Sequence, residues 1–336
     1  MTDAASSQPF TDLTPHAVLD ALALTGLHGD GRLLQLNSYE NRVFQVGLED
    51  GGFVVAKFYR PGRWSDAQIL EEHSFALELA AAEVPAVAPL VLQAESPAQS
   101  LRCLGTPATL AVLGRTRFAV SPRRAGRAPE LDDPETLEWI GRFIGRLHTV
   151  GSQCPFTHRR TIDAATLGWA PREWLLEQGT VSPGERAAWA DVSQRALQIA
   201  ERRLRDVDGL HMLRLHGDCH PGNLLWTPEG PHFVDLDDAA MGPAIQDLWM
   251  LLPGDARASG AALASLLEGY ETFCRFDRRE IALIEPLRTL RMLHHSAWLA
   301  QRWDDPAFPA AFSWFGTDNY WSQQIAQLRE QVEAMA

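Results

Sequence analysis

The sequence predicts an α+β fold in which a strand-rich first third precedes a mainly helical remainder. Three observations carry this. Short apolar runs of strand character fill 33–36, 42–48 and 53–59, the last two joined by the turn Glu49-Asp50-Gly51-Gly52. From residue 134 onward the apolar positions recur at helical spacing instead. Between the two regimes, 121–129 (Ser-Pro-Arg-Arg-Ala-Gly-Arg-Ala-Pro) is a linker rich in Gly, Pro and Arg. Strands followed by helices argue a sheet-bearing lobe, 1–122, stacked on a helical lobe, 123–336. The linker would then lie at the back of a cleft, a common place for a ligand.

Each element has a local reason. Residues 11–28 form a helix, with Thr14 as N-cap and Pro15 at the first helical position. A second helix covers 65–83, where Ser65 and Gln68 make a capping box. Extended segments at 84–89 and 91–92 are broken by proline, and 110–112 with 118–120 form a further hairpin. Leu137, Ile140, Ile144 and Leu147 mark one face of a helix over 134–150. The stretch 151–183 is irregular, 183–206 is helical, and the chain from Ala261 on is helical apart from a break at 303–309. There is no internal repeat.

Composition narrows the function. The chain has 336 residues, 46% of them hydrophobic, enough for two lobes with real cores. Its net charge of −13 argues against nucleic acid as partner. No apolar run has membrane-spanning length, and the polar start at 1–9 is neither signal nor anchor, so a cytoplasmic protein is expected. Four cysteines at 103, 154, 219 and 274 lack the spacing of a zinc site or a disulfide framework. Lys57 is the only lysine; every other basic side chain except histidine is arginine. A compact ammonium retained among guanidinium groups is informative.

The chemistry concentrates in 215–237. There His216-Gly217-Asp218-Cys219-His220-Pro221-Gly222-Asn223 is followed by two short apolar runs and then Asp235. An Asp, an Asn five residues on and an Asp twelve further is the layout of a phosphoryl-transfer centre. Asp218 would accept the proton of a hydroxyl; the plainer alternative is a loop Asp in an Asx turn. Asn223 and Asp235 supply the oxygen donors Mg²⁺ prefers, and a hairpin between them would hold both at one end. Asp237 is a secondary ligand or, more simply, a turn residue. Asp247, at a helix start, could brace the catalytic loop. His216 packs beneath that loop and His220 braces its turn; neither has the neighbours of a zinc site. Cys219 reads as a small residue beside a functional one, with no activating group nearby.

Lys57 ends the strand run Val54-Val55-Ala56-Lys57, like the strand lysine of protein kinases that contacts nucleotide phosphates. Its carboxylate partner would be Glu71 or Glu72, with Glu72 preferred because it shares a helix face with Phe75 and Leu79. The loop Asn37-Ser38-Tyr39-Glu40-Asn41-Arg42 lies where a phosphate-covering loop belongs, and Ser38 is the residue chosen to contact nucleotide. An ordinary polar hairpin loop is the alternative.

Together these motifs resemble the aminoglycoside phosphotransferase and choline kinase superfamily, which has a two-lobed, protein-kinase-like fold. Further segments (36–44, 57–64, 69–73 and 298–308) are similar to a bacterial branch of stress-response Ser/Thr protein kinases. The resemblance implies an ATP- and Mg²⁺-dependent enzyme that phosphorylates a protein substrate and itself under envelope or oxidative stress. It implies Asp218 as proton acceptor, Asn223 and Asp235 as metal ligands and Ser38 at the ATP site. A monomer is expected. Two departures from ordinary protein kinases stand out. The loop over the phosphates has no glycine, and Gly217 stands where an Arg would pair with a phosphorylated activation loop. Activity should therefore not need phosphorylation of such a loop. The alternative acceptor is a small molecule, an amino alcohol or aminoglycoside hydroxyl. A non-catalytic nucleotide-binding scaffold is disfavoured by the presence of Lys57, Asp218, Asn223 and Asp235 together.

Overall fold

A computed structural model describes residues 9–95, 100–254 and 256–336, the last from residue 259 on with side chains. The polar start at 1–8 lies outside the described residues. The fold is α+β, with two compact units. The first comprises 1–129, 157–159 and 222–237; the second comprises 130–156, 160–221 and 238–336.

The first unit is built on a six-stranded antiparallel sheet of β1 (Gly29–Leu36), β2 (Arg42–Leu48), β3 (Phe53–Phe58), β4 (Leu101–Gly105), β5 (Ala108–Leu113) and β6 (Thr116–Pro122). Their order across the sheet is β1-β2-β3-β6-β5-β4. Alternation along β3 separates two environments. Val54, Ala56 and Phe58 enter a core with Phe44, Val46, Phe118, Val120 and the helix α1 (Pro15–Ala23), through Val18 and Leu22. On the other side of the strand path, Tyr59 joins Leu110, Val112, Ala119 and Ile69 of helix α2 (Asp66–Ala81). Lys57 shares that parity. The expected capping box opens α2, with Ser65 accepting from the Gln68 N–H and Gln68 from the Ser65 N–H. Ile69, Glu72, His73, Phe75, Ala76 and Leu79 are its buried residues.

Three expectations in this unit needed correction. The first helix covers nine residues only, Pro15–Ala23. β1 begins at Gly29, four residues early, across a register shift before Leu33. Asp30 accepts from the Arg32 N–H and guanidinium there, so a Gly-Asp-Gly stretch that reads as a turn runs on as strand. β4 was not foreseen. It is a five-residue edge strand with an exposed Arg102, and its reason to exist is the pairing with β5, from Leu101↔Leu113 to Leu104↔Leu110. A late hairpin, Leu224–Thr227 with Gly230–Phe233, also belongs here. Two strands alone are marginal; this pair is supported by bridges from Ala86 to Phe233 and from Arg127 to Trp226.

The second unit is helical: α3 (Pro134–Gly151), α4 (Ala170–Glu177), α5 (Arg186–Asp206), α6 (Gln246–Trp249), α7 (Ala256–Tyr270), α8 (Ile284–Gln301), α9 (Ala307–Ala311) and α10 (Asp318–Ala334). Asp133 caps α3 by accepting from the N–H groups of Glu135 and Thr136. α3 packs against α7 at backbone contact distance: a Cβ at Gly141 would fall 2.0 Å from the Leu266 carbonyl oxygen. Trp189 of α5 and Trp321 of α10 meet edge to face at 5.8 Å between ring centroids in the core beneath α8. The expected irregular stretch 151–183 is partly helical, through a wide-turned segment Ala165–Trp169 that runs into α4. Pro171 falls where the wide-turned segment passes into α4. Finally, Leu213–Leu215 pairs with Ala240–Gly242, so the chain leaves this unit's site from one strand and returns beside it.

Candidate active site

In the first unit the sheet presents Lys57, and the late hairpin presents Asn223 and Asp235. The hairpin register aligns Leu224 with Phe233, and the Val234 N–H donates to the Asn223 carbonyl at 3.1 Å. Asn223 and Asp235 are thereby carried at one end, as the spacing led us to expect. Asp235 has φ +59, a conformation that non-glycine residues seldom adopt and that clusters at functional positions. Its Oδ1 accepts from Lys57 Nζ at 2.7 Å. The Asp235 side chain is 48% exposed, against 20% for Lys57. Burial works against the Lys57 charge, but Asp235, Asp237, Tyr59 and Glu72 more than offset it, and its pKa is held well above the usual lysine value.

Lys57 thus makes its ion pair with the hairpin carboxylate rather than with a helix glutamate. The two glutamates of α2 do different things. Glu71 faces the segment 157–159 and accepts the backbone N–H groups of Thr157, His158 (2.8 Å) and Arg159 (2.8 Å). Glu72 is buried and feels Lys57 through space; burial pushes its pKa up to about 7, against the pull of Lys57 and Arg159. Next to it His73 is pushed down to about 3, by burial and by Lys57. That neutral ring bridges the Tyr59 hydroxyl (2.8 Å) and Thr109 Oγ1 (2.9 Å).

The loop 37–42 is only partly turned outward. Ser38 is half-buried and Asn37 exposed, whereas Glu40 and Asn41 are buried. Asn41 accepts from the Arg60 N–H at 3.1 Å and donates to Asp237 Oδ2 at 3.1 Å. Arg63 also bonds Asp237, and Arg159 donates to the Asp237 carbonyl while its guanidinium lies 4.2 Å from the Trp64 ring centroid. Asp237, open in the sequence between ligand and turn residue, is a buried clasp for the loop that carries Ser38. Ser38 makes none of these bonds.

Asp218 belongs to the second unit. Its backbone is fixed from below by Asp247, which accepts the N–H groups of His216 (2.7 Å) and Gly217 (2.8 Å). Asp247 is fully buried and is itself bonded by His148 Nε2 at 3.1 Å, while His148 Nδ1 meets the Tyr270 hydroxyl at 3.0 Å. Gln246 donates to the Gly217 carbonyl at 3.1 Å. Gly217 has φ +84, and a Cβ there would lie 2.2 Å from the Asp238 carbonyl oxygen. Any side chain at this position, an arginine included, is excluded by backbone. After Asp235 the chain is a single 3₁₀ turn (Leu236–Asp238), the short strand Ala240–Gly242 and α6. No long activation loop fits between Asp235 and Asp247.

The side chain of Asp218 is held by Arg291 from α8, Nη1 to Oδ1 at 2.6 Å, and by His220, Nε2 to Oδ2 at 3.5 Å. Cys219 is fully buried, and burial, then Asp247 and Asp218, push its thiol pKa up, so it is no nucleophile. Three parts of this arrangement were not visible in the sequence: Arg291 under Asp218, His148 under Asp247, and the clasp of Asn41 and Arg63 on Asp237. Each partner is 30 or more residues away along the chain, with no fixed spacing to betray it.

The donor set suits a hard divalent cation. Asn223 and Asp235 offer amide and carboxylate oxygen, and Asp235 is half-exposed.

The phosphotransferase enzyme family matches over residues 32–284. Stress response kinase A of Salmonella choleraesuis is 43% identical over 326 residues, 97% of this chain and 94% of that protein. Serine/threonine protein kinase RdoA of Salmonella typhimurium matches to the same extent, with 43% identity over 97% of this chain and 94% of its own length. Stress response kinase A of Escherichia coli O157:H7 is 44% identical over 98% of this chain and 96% of its length. Among solved structures, amicoumacin kinase hAmiN, in complex with AMP-PNP, Ca²⁺ and Ami, shares the fold at TM-score 0.70 and 20% identity, covering 95% of this chain and 93% of that one. A microcompartment-associated aminopropanol kinase does so at TM-score 0.65 and 19% identity, covering 94% and 95%. The chain belongs to the phosphotransferase enzyme family, and it is a phosphotransferase with an alcohol group as acceptor.

Proposed function

We infer that this enzyme transfers the γ-phosphoryl group of ATP to Ser or Thr hydroxyls of a protein, its own chain included, in a bacterial stress response. The observation that carries this is the near full-length identity of 43% to a protein named a serine/threonine protein kinase. In this reading Asp218 takes the proton of the acceptor hydroxyl. The hydroxyl oxygen bonds to the γ-phosphorus as the bond to the β-phosphate bridging oxygen breaks, and ADP leaves. Asp247 holds the loop so that Asp218 does not have to be positioned at the moment of reaction. Lys57 neutralises phosphate oxygens, Glu72 sets the field around it, and Ser38 contacts the nucleotide. Asn223 and Asp235 would hold Mg²⁺, which supplies charge for the phosphate oxygens of the nucleotide.

Gly217 and the short path to Asp247 support activity without phosphorylation of an activation loop. A second reading, phosphorylation of a small amino alcohol, is favoured by one observation: the solved relatives of this fold include an aminopropanol kinase.

The test is purified protein with radiolabelled ATP and Mg²⁺, offered a generic acceptor protein and a panel of amino alcohols. Label on protein, undiminished by prior phosphatase treatment, is the expected result. Label only on a small molecule would sink the protein-kinase reading, and loss of all turnover after phosphatase would sink the loop argument.

A further inference from the structure

Arg291 does more than sit beside Asp218. Its guanidinium lines a cleft of about 620 Å³ that lies wholly within the helical unit, between α8 and α10. Arg288, His295 and Gln327 line the same cleft. A second depression of about 280 Å³ shares Met292, His295 and Gln327 with it and continues to the exposed Trp314. From Glu285 to His295 the groove follows ten residues of helix, about 15 Å. That is the length of four to five residues of extended polypeptide, and far more than an amino alcohol fills.

The charges along this wall are unevenly placed. Arg288 is bonded to Glu285 at 3.0 Å and lies 5.0 Å from the Trp249 ring centroid; Glu330 is exposed on the far wall. His295, on the same wall, is exposed to solvent. The arginine that reaches Asp218 from this wall is Arg291, 42% exposed. Its Nη1 bonds the oxygen Oδ1, one of the two that Asp218 can offer to a hydroxyl. When the acceptor hydroxyl approaches that carboxylate, the guanidinium must share or release it. Four further N–H donors remain on the fork. An anionic group on the acceptor restores what Arg291 gives up, by a charge-assisted and potentially bidentate bond. A cationic acceptor meets Arg291 as a like charge.

We propose that Arg291, seconded by Arg288, is a specificity determinant that selects Ser or Thr hydroxyls in an acidic polypeptide segment lying along α8. The proposal deepens the protein-kinase reading and rests on Asp218 being the base of that reaction. The chemistry is unchanged: proton to Asp218, phosphoryl from ATP to the hydroxyl oxygen, ADP released.

The experiment uses the full chain, ATP and Mg²⁺, and three seven-residue peptides with one central Ser flanked by Glu, by Gln or by Arg, alongside 1-amino-2-propanol. The wild type should favour the Glu-flanked over the Arg-flanked peptide by about tenfold in kcat/KM, equivalent to about 1.4 kcal/mol. Arg291→Glu should reverse the order, and Arg291→Lys should retain it. Because Arg291→Glu also disturbs Asp218, Arg288→Glu is the second variant: it touches the cleft and not Asp218, and should reduce the preference about threefold. The ratio between two peptides does not depend on how much protein is folded, so a merely structural arginine leaves it unmoved. Equal rates on all three peptides, or an acidic preference that survives both charge reversals, overturns the proposal while leaving the protein-kinase reading intact. Label on 1-amino-2-propanol and on no peptide or protein overturns both.

Discussion

Asp235 and Asp247 are twelve residues apart in the chain and are used in opposite ways. Asp235 ends a hairpin in the sheet-bearing unit, is half-exposed, and has a lysine ammonium as its bonded partner. Asp247 sits at the foot of the helical unit, is fully buried, and spends its oxygens on two backbone N–H groups and a histidine. A half-exposed carboxylate can exchange partners more readily, because water can stabilise its charge when the lysine withdraws. A buried carboxylate bonded to backbone cannot, because breaking any of its bonds leaves a desolvated charge or an unmet N–H. The first arrangement leaves a carboxylate that can take a new partner. The second suits a scaffold that must not move.

The largest test of that contrast compares the two carboxylates assigned to the reaction. Asp218→Ala should reduce phosphoryl transfer by about 10²–10⁴-fold while nucleotide binding is largely kept. Asp235→Ala should lose nucleotide affinity as well, measured by titration calorimetry with Mg²⁺ present. If Asp218→Ala turned over ATP near the wild-type rate, the assignment of the base would fail.

Gly217→Ala should act on the scaffold side. Its Cβ would sit 2.2 Å from a carbonyl oxygen and φ is +84, so the loop must shift or the residue must strain, at about 1–3 kcal/mol. Thermal melts should show lowered stability, and transfer should drop with it. A variant with wild-type melting and wild-type turnover would mean the loop is not held as described.

The smallest effect concerns pH. Each unit buries one glutamate whose pKa is pushed up to about 7 from about 4.5, Glu72 in the first and Glu280 in the second. Burial is the main cause in both; Glu280 also accepts the Ile245 N–H at 2.9 Å, which opposes the rise. A carboxyl that holds its proton more tightly when folded loses stabilisation as pH climbs, here between about 4.5 and 7. Glu280→Gln should remove that residue's share, at most about 3 kcal/mol from the size of the shift. Melting temperatures from pH 5 to pH 8 should therefore decline less in the variant. An unchanged slope would show that Glu280 ionises freely in the fold. Transfer activity should be little affected, unlike Glu72→Gln, which alters the field at Lys57.

Much of the fold was legible because its causes are local. The capping box at Ser65 and Gln68, the proline after Thr14 and the strands on either side of Gly51-Gly52 each depend on a few neighbouring residues, and each is found. β4 was missed for the converse reason. Leu101–Gly105 has little strand signature of its own and is a strand because β5 lies beside it. The helix partner of Lys57 was misjudged in a similar way. Face periodicity correctly buries Glu72, but periodicity cannot say that Asp235 reaches the ammonium first.

What the sequence by itself determined is the candidate set, held at fixed intervals by covalent connection: Asp218, Asn223 and Asp235 within one stretch, with a single lysine far upstream. The tertiary structure alone decided which groups those residues meet. It joined 222–237 to the sheet-bearing unit through the bridges at Ala86 and Arg127, turned Asp237 into a clasp, and set Arg291 against Asp218. The physical reason is that such contacts join residues between 73 and 196 positions apart along the chain. Their energy depends on burial and distance, which no local pattern encodes.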